Sequence, residues 1–440
     1  MRTPFLVVDL PRISRWSRLL LALAPSLVPG AFSFDMDFRY SPLPAETGHL
    51  RESLSPADID KDGDLDFFTG RYGSTAWYEN LGGGQWQRHT LSDSTDTDVG
   101  AVALDVDGDG WVDRIAGSWW YRNPGAGGGL FTAYRYGYAY YAHDMKTGDI
   151  DGDGRSDVIS IIAREIFWLK RPEDPLLGEP WERDTIVAGD EYATQHGGLS
   201  VGDIDGDGDL DVARLDCWFE NPGDGKGIWT RHDGPDFGKP GPWGLTGRAM
   251  VIDMDGDGAN DLLQAECDYG NGRVAWFRNL DGHGGSWETH LIKDSTDGQD
   301  FHSLVVADFD QDGDSDIFSM GGPNGSGMPK AYLWERLDST GTLWKEHILL
   351  EGINGHEAAA GDFDGDGDMD ILAKIFGDSV HFLLENQLIP SAPIRPGRKR
   401  QAALSPPPPR PWFMTPLGLV DPLGRPYRFP QPQPAGNRRR

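Results

Sequence analysis

One motif, Asp-x-Asp-x-Asp-Gly-x-x-Asp, recurs seven times in the 440 residues of this chain, and its spacing leaves few folds open. The first four copies are Asp58, Asp60, Asp62 and Asp66; Asp105, Asp107, Asp109 and Asp113; Asp149, Asp151, Asp153 and Asp157; and Asp203, Asp205, Asp207 and Asp211. The last three are Asp253, Asp255, Asp257 and Asp261; Asp308, Asp310, Asp312 and Asp316; and Asp362, Asp364, Asp366 and Asp370. Their first aspartates lie 47, 44, 54, 50, 55 and 54 residues apart. A period near fifty predicts stacked supersecondary units, each unable to bury its faces alone.

Three alternate carboxylates, a glycine for a sharp turn and a fourth carboxylate wrap oxygen atoms around a hard cation. Calcium fits such a loop, because it accepts about six to eight oxygen ligands in flexible geometry. Without a cation, so many carboxylates in one turn would repel one another. Zinc is not expected inside the loops, which contain neither His nor Cys. The spacing also opens an EF-hand, but that loop closes on glutamate at position 12 between helices. Here aspartate closes at position 9, and the flanks, such as Leu304–Ala307 and Ile317–Ser319, read as strands.

Two further signatures follow each loop. An aromatic pair ends at a turn-forming Asn, as in Trp77-Tyr78-Glu79-Asn80, Trp120-Tyr121-Arg122-Asn123, Trp218-Phe219-Glu220-Asn221 and Trp276-Phe277-Arg278-Asn279, more weakly in Leu384-Glu385-Asn386. Then comes Trp-x-x-His, at Trp86/His89, Trp229/His232, Trp287/His290 and Trp344/His347. Four short strands per unit, repeated around an axis, predict an all-β propeller. The four His recur with their Trp on an outer strand, which marks them as structural.

Loop, aromatic-Asn turn and Trp-x-x-His strand, in that order, resemble the FG-GAP/VCBS repeat proteins, whose propeller is shared with the head of integrin α subunits. The resemblance covers residues 32–388 and implies seven blades, each with a calcium loop. Blade 3 departs from it with Phe167-Trp168-Leu169-Lys170, and blade 6 with Trp334-Glu335-Arg336. Phe32, Phe34, Met36, Phe38 and Tyr40 alternate with polar residues, so residues 32–40 are expected to complete the seventh blade as its outermost strand and close the ring.

The net charge of −30 understates the acidity of the repeat region. Residues 1–31 carry about +3 and the segment after Asn386 about +9, which leaves near −42 between them. That excludes nucleic acid as a partner, since phosphate binding needs a basic surface. Arg2, Arg12, Arg15 and Arg18 precede an apolar run, Leu19–Val28, too short to span a bilayer; residues 1–31 read as a secretory signal. The expected location is extracellular or periplasmic. Residues 389–440, rich in Pro and Arg, read as a disordered tail without an apolar anchor. Cys217 and Cys267 occupy equivalent positions on adjacent blades, and export permits a bridge that geometry between equivalent points opposes.

No nucleophile elbow, Cys-His pairing, phosphate loop or His-Glu-x-x-His motif occurs. One constellation remains. His143, His196, Arg248, His302 and His356 stand five to seven residues ahead of five loops, with His49 a looser match. The resemblance places them at the strand ends opposite the loops, around the channel mouth, either as a ligand site or as clasps between blades. Tyr134, Tyr136, Tyr138, Tyr140 and Tyr141 precede His143, and Trp243 precedes Arg248, offering platforms for sugar rings or core packing. The leading functional reading is a secreted, calcium-binding module for adhesion to a glycan or an extracellular protein. The alternative is a carbohydrate lyase or dehydratase at the channel mouth.

Overall fold

A strand with neighbours on both faces cannot alternate apolar with polar, and the second strands of the blades do not. Asp157–Ile162 and Asp316–Met320 are apolar or small nearly throughout and buried. The outer strands, such as Trp86–Ser92, are half exposed. In the computed structural model, residues 36–44, 53–97, 99–189, 198–235, 237, 246–268, 270–378 and 380–388 are described, with the backbone of 413–415 and 418–420.

These residues form seven four-stranded antiparallel sheets arranged as a β-propeller with almost no helix. From blade 1 to blade 7 the innermost strands are Ser53–Ala57, Ala101–Leu104, Asp144–Gly148, Ser200–Gly202, Gly247–Ile252, Val305–Ala307 and Gly355–Gly361. In all seven blades the residue just before the first loop aspartate pairs with the fourth aspartate, as in Ala57↔Asp66 and Gly361↔Asp370. Each acidic loop therefore joins the first strand of its blade to the second, and all seven lie at one end of the strands.

In blades 1 to 6 the fourth strand follows in sequence. In blade 7 it is Phe38–Pro42, paired antiparallel with His381–Asn386 in the register Phe38↔Asn386 to Pro42↔Phe382. The segment expected in this role, 32–40, is described only from residue 36, and the strand runs two residues further than anticipated. Residues 1–31 and most of 389–440 lie outside the described residues, although Phe413–Thr415 pairs with Gly418–Val420 where no strand pattern is visible in the sequence.

Blades adhere through tryptophan. Trp168 of blade 3 donates Nε1–H to Gly225 O of blade 4 at 3.0 Å, and Trp218 packs under Gly284 of blade 5. Gly284 has φ +65°, and a Cβ there would stand 2.7 Å from Trp218 Cζ2, so only glycine fits. The Trp-x-x-His histidines are structural: His89, His232 and His290 stack on Trp77, Trp218 and Trp276 with centroids 4.2 to 4.4 Å apart. Cys217 and Cys267 are both buried and free, so no disulfide joins them.

Candidate functional site

Each acidic loop folds around its own carboxylates. Asp203 accepts the Gly206 N–H at 2.7 Å and the Gly208 N–H at 3.2 Å, and Asp253 accepts from Gly256 and Gly258 at 2.8 and 3.0 Å. The fourth residue of the loop takes positive φ: glycine supplies it in five blades, while Lys61 and Gln311 adopt φ 60° in the other two. The fourth aspartate is buried in every blade. In blade 1, Asp66 accepts the Ile59 N–H at 2.9 Å and the Asn80 N–H at 2.8 Å, and the same clasp recurs at Asp113, Asp157, Asp211, Asp261, Asp316 and Asp370. Burial, added to by neighbouring carboxylates, pushes Asp66 up to about 8 and Asp316 and Asp370 up to about 9, against the backbone N–H groups that lower them. Donor atoms of the first, second and fourth aspartates approach within 4.8 Å of one another in several loops, including Asp105, Asp107 and Asp113. This oxygen-only set suits a hard cation.

The opposite strand ends carry the histidine and arginine constellation. Arg248 Nε donates to the His302 carbonyl at 2.8 Å; its guanidinium also reaches Asp144 at 3.3 Å and pairs with Glu357. One side chain thus ties blade 5 to blades 3, 6 and 7. His143 Nδ1 lies 3.5 Å from Asp144 Oδ1, and the His302 and His356 rings, 5.6 Å apart, both pack against Phe376. Four of the five expected residues therefore meet in one network. His196 lies outside the described residues, as do His49 and Trp243.

The network differs from an open mouth. His143, His302 and His356 are buried, at 6%, 7% and 2% exposure, so their imidazoles serve the interior first. Burial alone would raise Asp144, but His143, Arg248 and Lys146 hold it below the usual carboxylate range. Burial pushes the Lys146 ammonium down to about 8 despite Asp144 and Glu357. Glu357 is raised by burial even though Arg248 opposes the shift. Asp144, Lys146 and Glu357 were missed in the sequence; the signal was the carboxylate directly after His143 and His356, and Lys146 two residues on from Asp144, which on a strand shares its face.

The tyrosine segment divides. Tyr134 stacks on Trp120, and Tyr136 is buried with its hydroxyl donating to Gly117 O at 2.8 Å. Tyr138, Tyr140 and Tyr141 are 57%, 43% and 43% exposed and join Tyr72, 46% exposed, in a cluster of rings with centroids 5.4 to 6.5 Å apart. Tyr72 belongs to the turn between Asp66–Arg71 and Ser74–Asn80, and residues 138–141 precede the innermost strand of blade 3. Both positions lie on the face opposite the acidic loops.

Fold and loops define a seven-bladed propeller of acidic repeats. Residues 58–116, 253–319 and 308–373 match the FG-GAP-like repeat, so the chain carries the repeats of the family that its sequence resembles. Comparison with curated proteins gives no match. Among solved structures, the chain is similar to an Agrocybe aegerita lectin solved for specific recognition of non-reducing terminal N-acetylglucosamine, at 17% identity and TM-score 0.49 over 69% of this chain and 81% of that one. It is also similar to part of the Photorhabdus luminescens Tc holotoxin pore, at 14% identity and TM-score 0.39 over 80% of this chain and 14% of that one. Similarity this distant carries no functional argument. No helix among the described residues is long and apolar enough to cross a membrane.

Proposed function

We propose that the protein is a secreted propeller, stabilised by calcium in its acidic loops, that binds neutral glycans on the face opposite those loops. The observation that carries this reading is the exposed platform of Tyr72, Tyr138, Tyr140 and Tyr141. Apolar ring faces left in water beside phenolic hydroxyls suit a sugar, which presents C–H faces and hydroxyls together. The strongly acidic repeat region favours neutral glycans over sulfated or phosphorylated ones.

The test is titration calorimetry of the full chain with a panel of neutral oligosaccharides, followed by Tyr72→Ala and Tyr140→Ala. Each substitution should weaken binding by about tenfold, or 1.4 kcal/mol. Undiminished binding by a Tyr72→Ala/Tyr140→Ala double variant with an unchanged melting temperature would place the ligand elsewhere. Chain cleavage of a uronate polymer would make the protein an enzyme instead.

Calcium in the loops would act on the fold through mass action. A site with Kd of about 0.1 mM, in about 1 mM calcium, adds about 1.4 kcal/mol. Seven such sites would add on the order of 10 kcal/mol, which matches the whole stability of an ordinary domain. Thermal melts before and after chelation should therefore differ by many degrees. An unchanged melting temperature after verified metal removal would refute a stabilising role for calcium.

A further inference from the structure

Sulfur, nitrogen and oxygen donors of two neighbouring blades meet at the edge of the Arg248 network. The Cys267 thiol, an Asp268 carboxylate oxygen and a His302 ring nitrogen all lie within 4.8 Å of one another. Cys267 and Asp268 follow directly on the blade 5 strand Asp261–Glu266, and His302 precedes the innermost strand of blade 6. His302 Nε2 is 3.5 Å from Asp268 Oδ1 and 3.2 Å from Asp300 Oδ2, and Cys267 Sγ is 3.9 Å from Asp268 Oδ2.

Several features hold this group in place. Asp268 adopts φ 60°, an uncommon conformation for a residue with a side chain. Its N–H donates to Asp300 Oδ1 at 2.6 Å, and the Asn324 N–H donates to Asp300 Oδ2 at 2.7 Å. Gly322 closes the space, because a Cβ there would collide with His302 Cδ2. The His302 side chain is 8% exposed, and its Nε2 pairs with the Asp300 and Asp268 carboxylates. A buried imidazole, a carboxylate and a thiol brought together from two blades are the donor types of a transition-metal site.

We infer that Cys267, Asp268 and His302, with Asp300 as the fourth donor, form a site for zinc or a similar transition metal. Zinc bonds of about 2.0 to 2.3 Å put the donors of a tetrahedron about 3.3 to 3.8 Å apart, and His302 Nε2 to Asp268 Oδ1 at 3.5 Å and to Asp300 Oδ2 at 3.2 Å, with Cys267 Sγ to Asp268 Oδ2 at 3.9 Å, are near that range. Thiol and imidazole select zinc over calcium, which takes oxygen. Metal binding releases the thiol proton to solvent. A thiolate and two carboxylates then exceed the charge of a divalent ion by one; Arg248, anchored on the His302 carbonyl, stands nearby, with its guanidinium also shared by Asp144 and Glu357. The acidic loops contain neither donor type, so this site is chemically separate from them.

Cobalt is the probe that separates these chemistries, because a thiolate ligand gives it a sulfur-to-metal charge-transfer band that oxygen ligands do not. The full chain, held in excess calcium so that the loops are saturated, is titrated with cobalt. One equivalent should bind with that band. Cys267→Ser should abolish the band with the melting temperature in calcium unchanged, and Cys217→Ser should retain it. His302→Gln should weaken cobalt binding more than tenfold, since losing even an outer-shell partner costs about 10 to 100-fold. Cobalt bound without the band, no binding under excess calcium, or a band that survives Cys267→Ser would each overturn the assignment.

Discussion

In five of the seven blades a single asparagine does work that its sequence context does not disclose. Asn221 Nδ2 donates to Leu210 O in its own blade at 3.0 Å and to Ile150 O in the preceding blade at 2.8 Å. Asn80, Asn123, Asn279 and Asn386 do the same, Asn80 reaching Phe363 of blade 7. In the sequence this residue reads as a turn former, because its second partner is some 64 to 283 residues away. The apparent departures of blades 3 and 6 also resolve here. Arg171 and Arg336 occupy the asparagine position: their N–H groups pair with Asp157 and Asp316, and their guanidinium groups reach carbonyls of blades 2 and 5. The motif matters less than the donor it delivers. Asn221→Ala leaves two buried carbonyls without that donor and should cost about 1 to 3 kcal/mol in urea unfolding with calcium fixed; a loss below about 0.5 kcal/mol would show the clasp to be dispensable. Lys146 offers a pH test at the same scale. Its folded value, about 8, lies below the usual lysine value, so folding carries a penalty below pH 8 that is relieved as pH rises towards the unfolded value. Relative to Lys146→Met, the wild type should therefore gain stability between about pH 8 and 10, and parallel profiles would disprove the assignment.

The strand-loop unit, taken as an element, comes in two kinds. Blades 1, 4, 6 and 7 carry a further aspartate at the seventh loop position (Asp64, Asp209, Asp314, Asp368) and a glutamate just before the clasp (Glu79, Glu220, Glu335, Glu385). Blades 2, 3 and 5 carry Trp111, Arg155 and Ala259, then Arg122, Lys170 and Arg278. The cationic side chains bend into their own loops: Arg122 meets Asp107 and Asp109, Lys170 meets Asp151 and Asp153, and Arg278 meets Asp255 and Asp257. In the first group, Glu79, Glu220 and Glu335 raise Asp60, Asp205 and Asp310, although burial is the larger cause. Calcium affinity rises with the number of charged ligands, so on the proposed calcium reading four loops bind tightly and three weakly. Titration of the calcium-free protein should show two phases in a ratio of four to three, and Arg122→Glu should move one equivalent from the weak phase to the tight one. Seven equal sites would contradict the split. The motif was legible in the sequence; the split was not, because it depends on a third-strand side chain turning towards its own loop.

At the scale of the whole molecule, the repeat predicts seven blades but not how the last is completed. Six blades take their fourth strand from the next stretch of chain, while blade 7 takes Phe38–Pro42 from the opposite end of the described sequence. The alternation around Phe38 made a strand legible, but its partner lay more than 340 residues away, and only the missing fourth strand after Asn386 pointed to it. Phe38 packs edge-on to Phe309 of blade 6, Tyr40 lies against Phe382, and Arg39 pairs with Glu385, so the strand brings apolar area as well as backbone bonds. Pro42 ends it, in keeping with an edge position where no further strand must pair. Removing this strand would leave His381–Asn386 as a bare, apolar edge, a template for another chain. A variant lacking residues 1–42 should lose several kcal/mol of stability, since burial of one large apolar side chain alone is worth about 1.5 to 3 kcal/mol, and should associate in a concentration-dependent way that light scattering detects. Adding a peptide of residues 36–43 should reverse both effects, because it supplies the pairing without the covalent link. A shortened chain that stays monomeric and melts with the full-length protein would mean that six blades and three strands suffice, and that the strand at Phe38 decorates the ring without holding it.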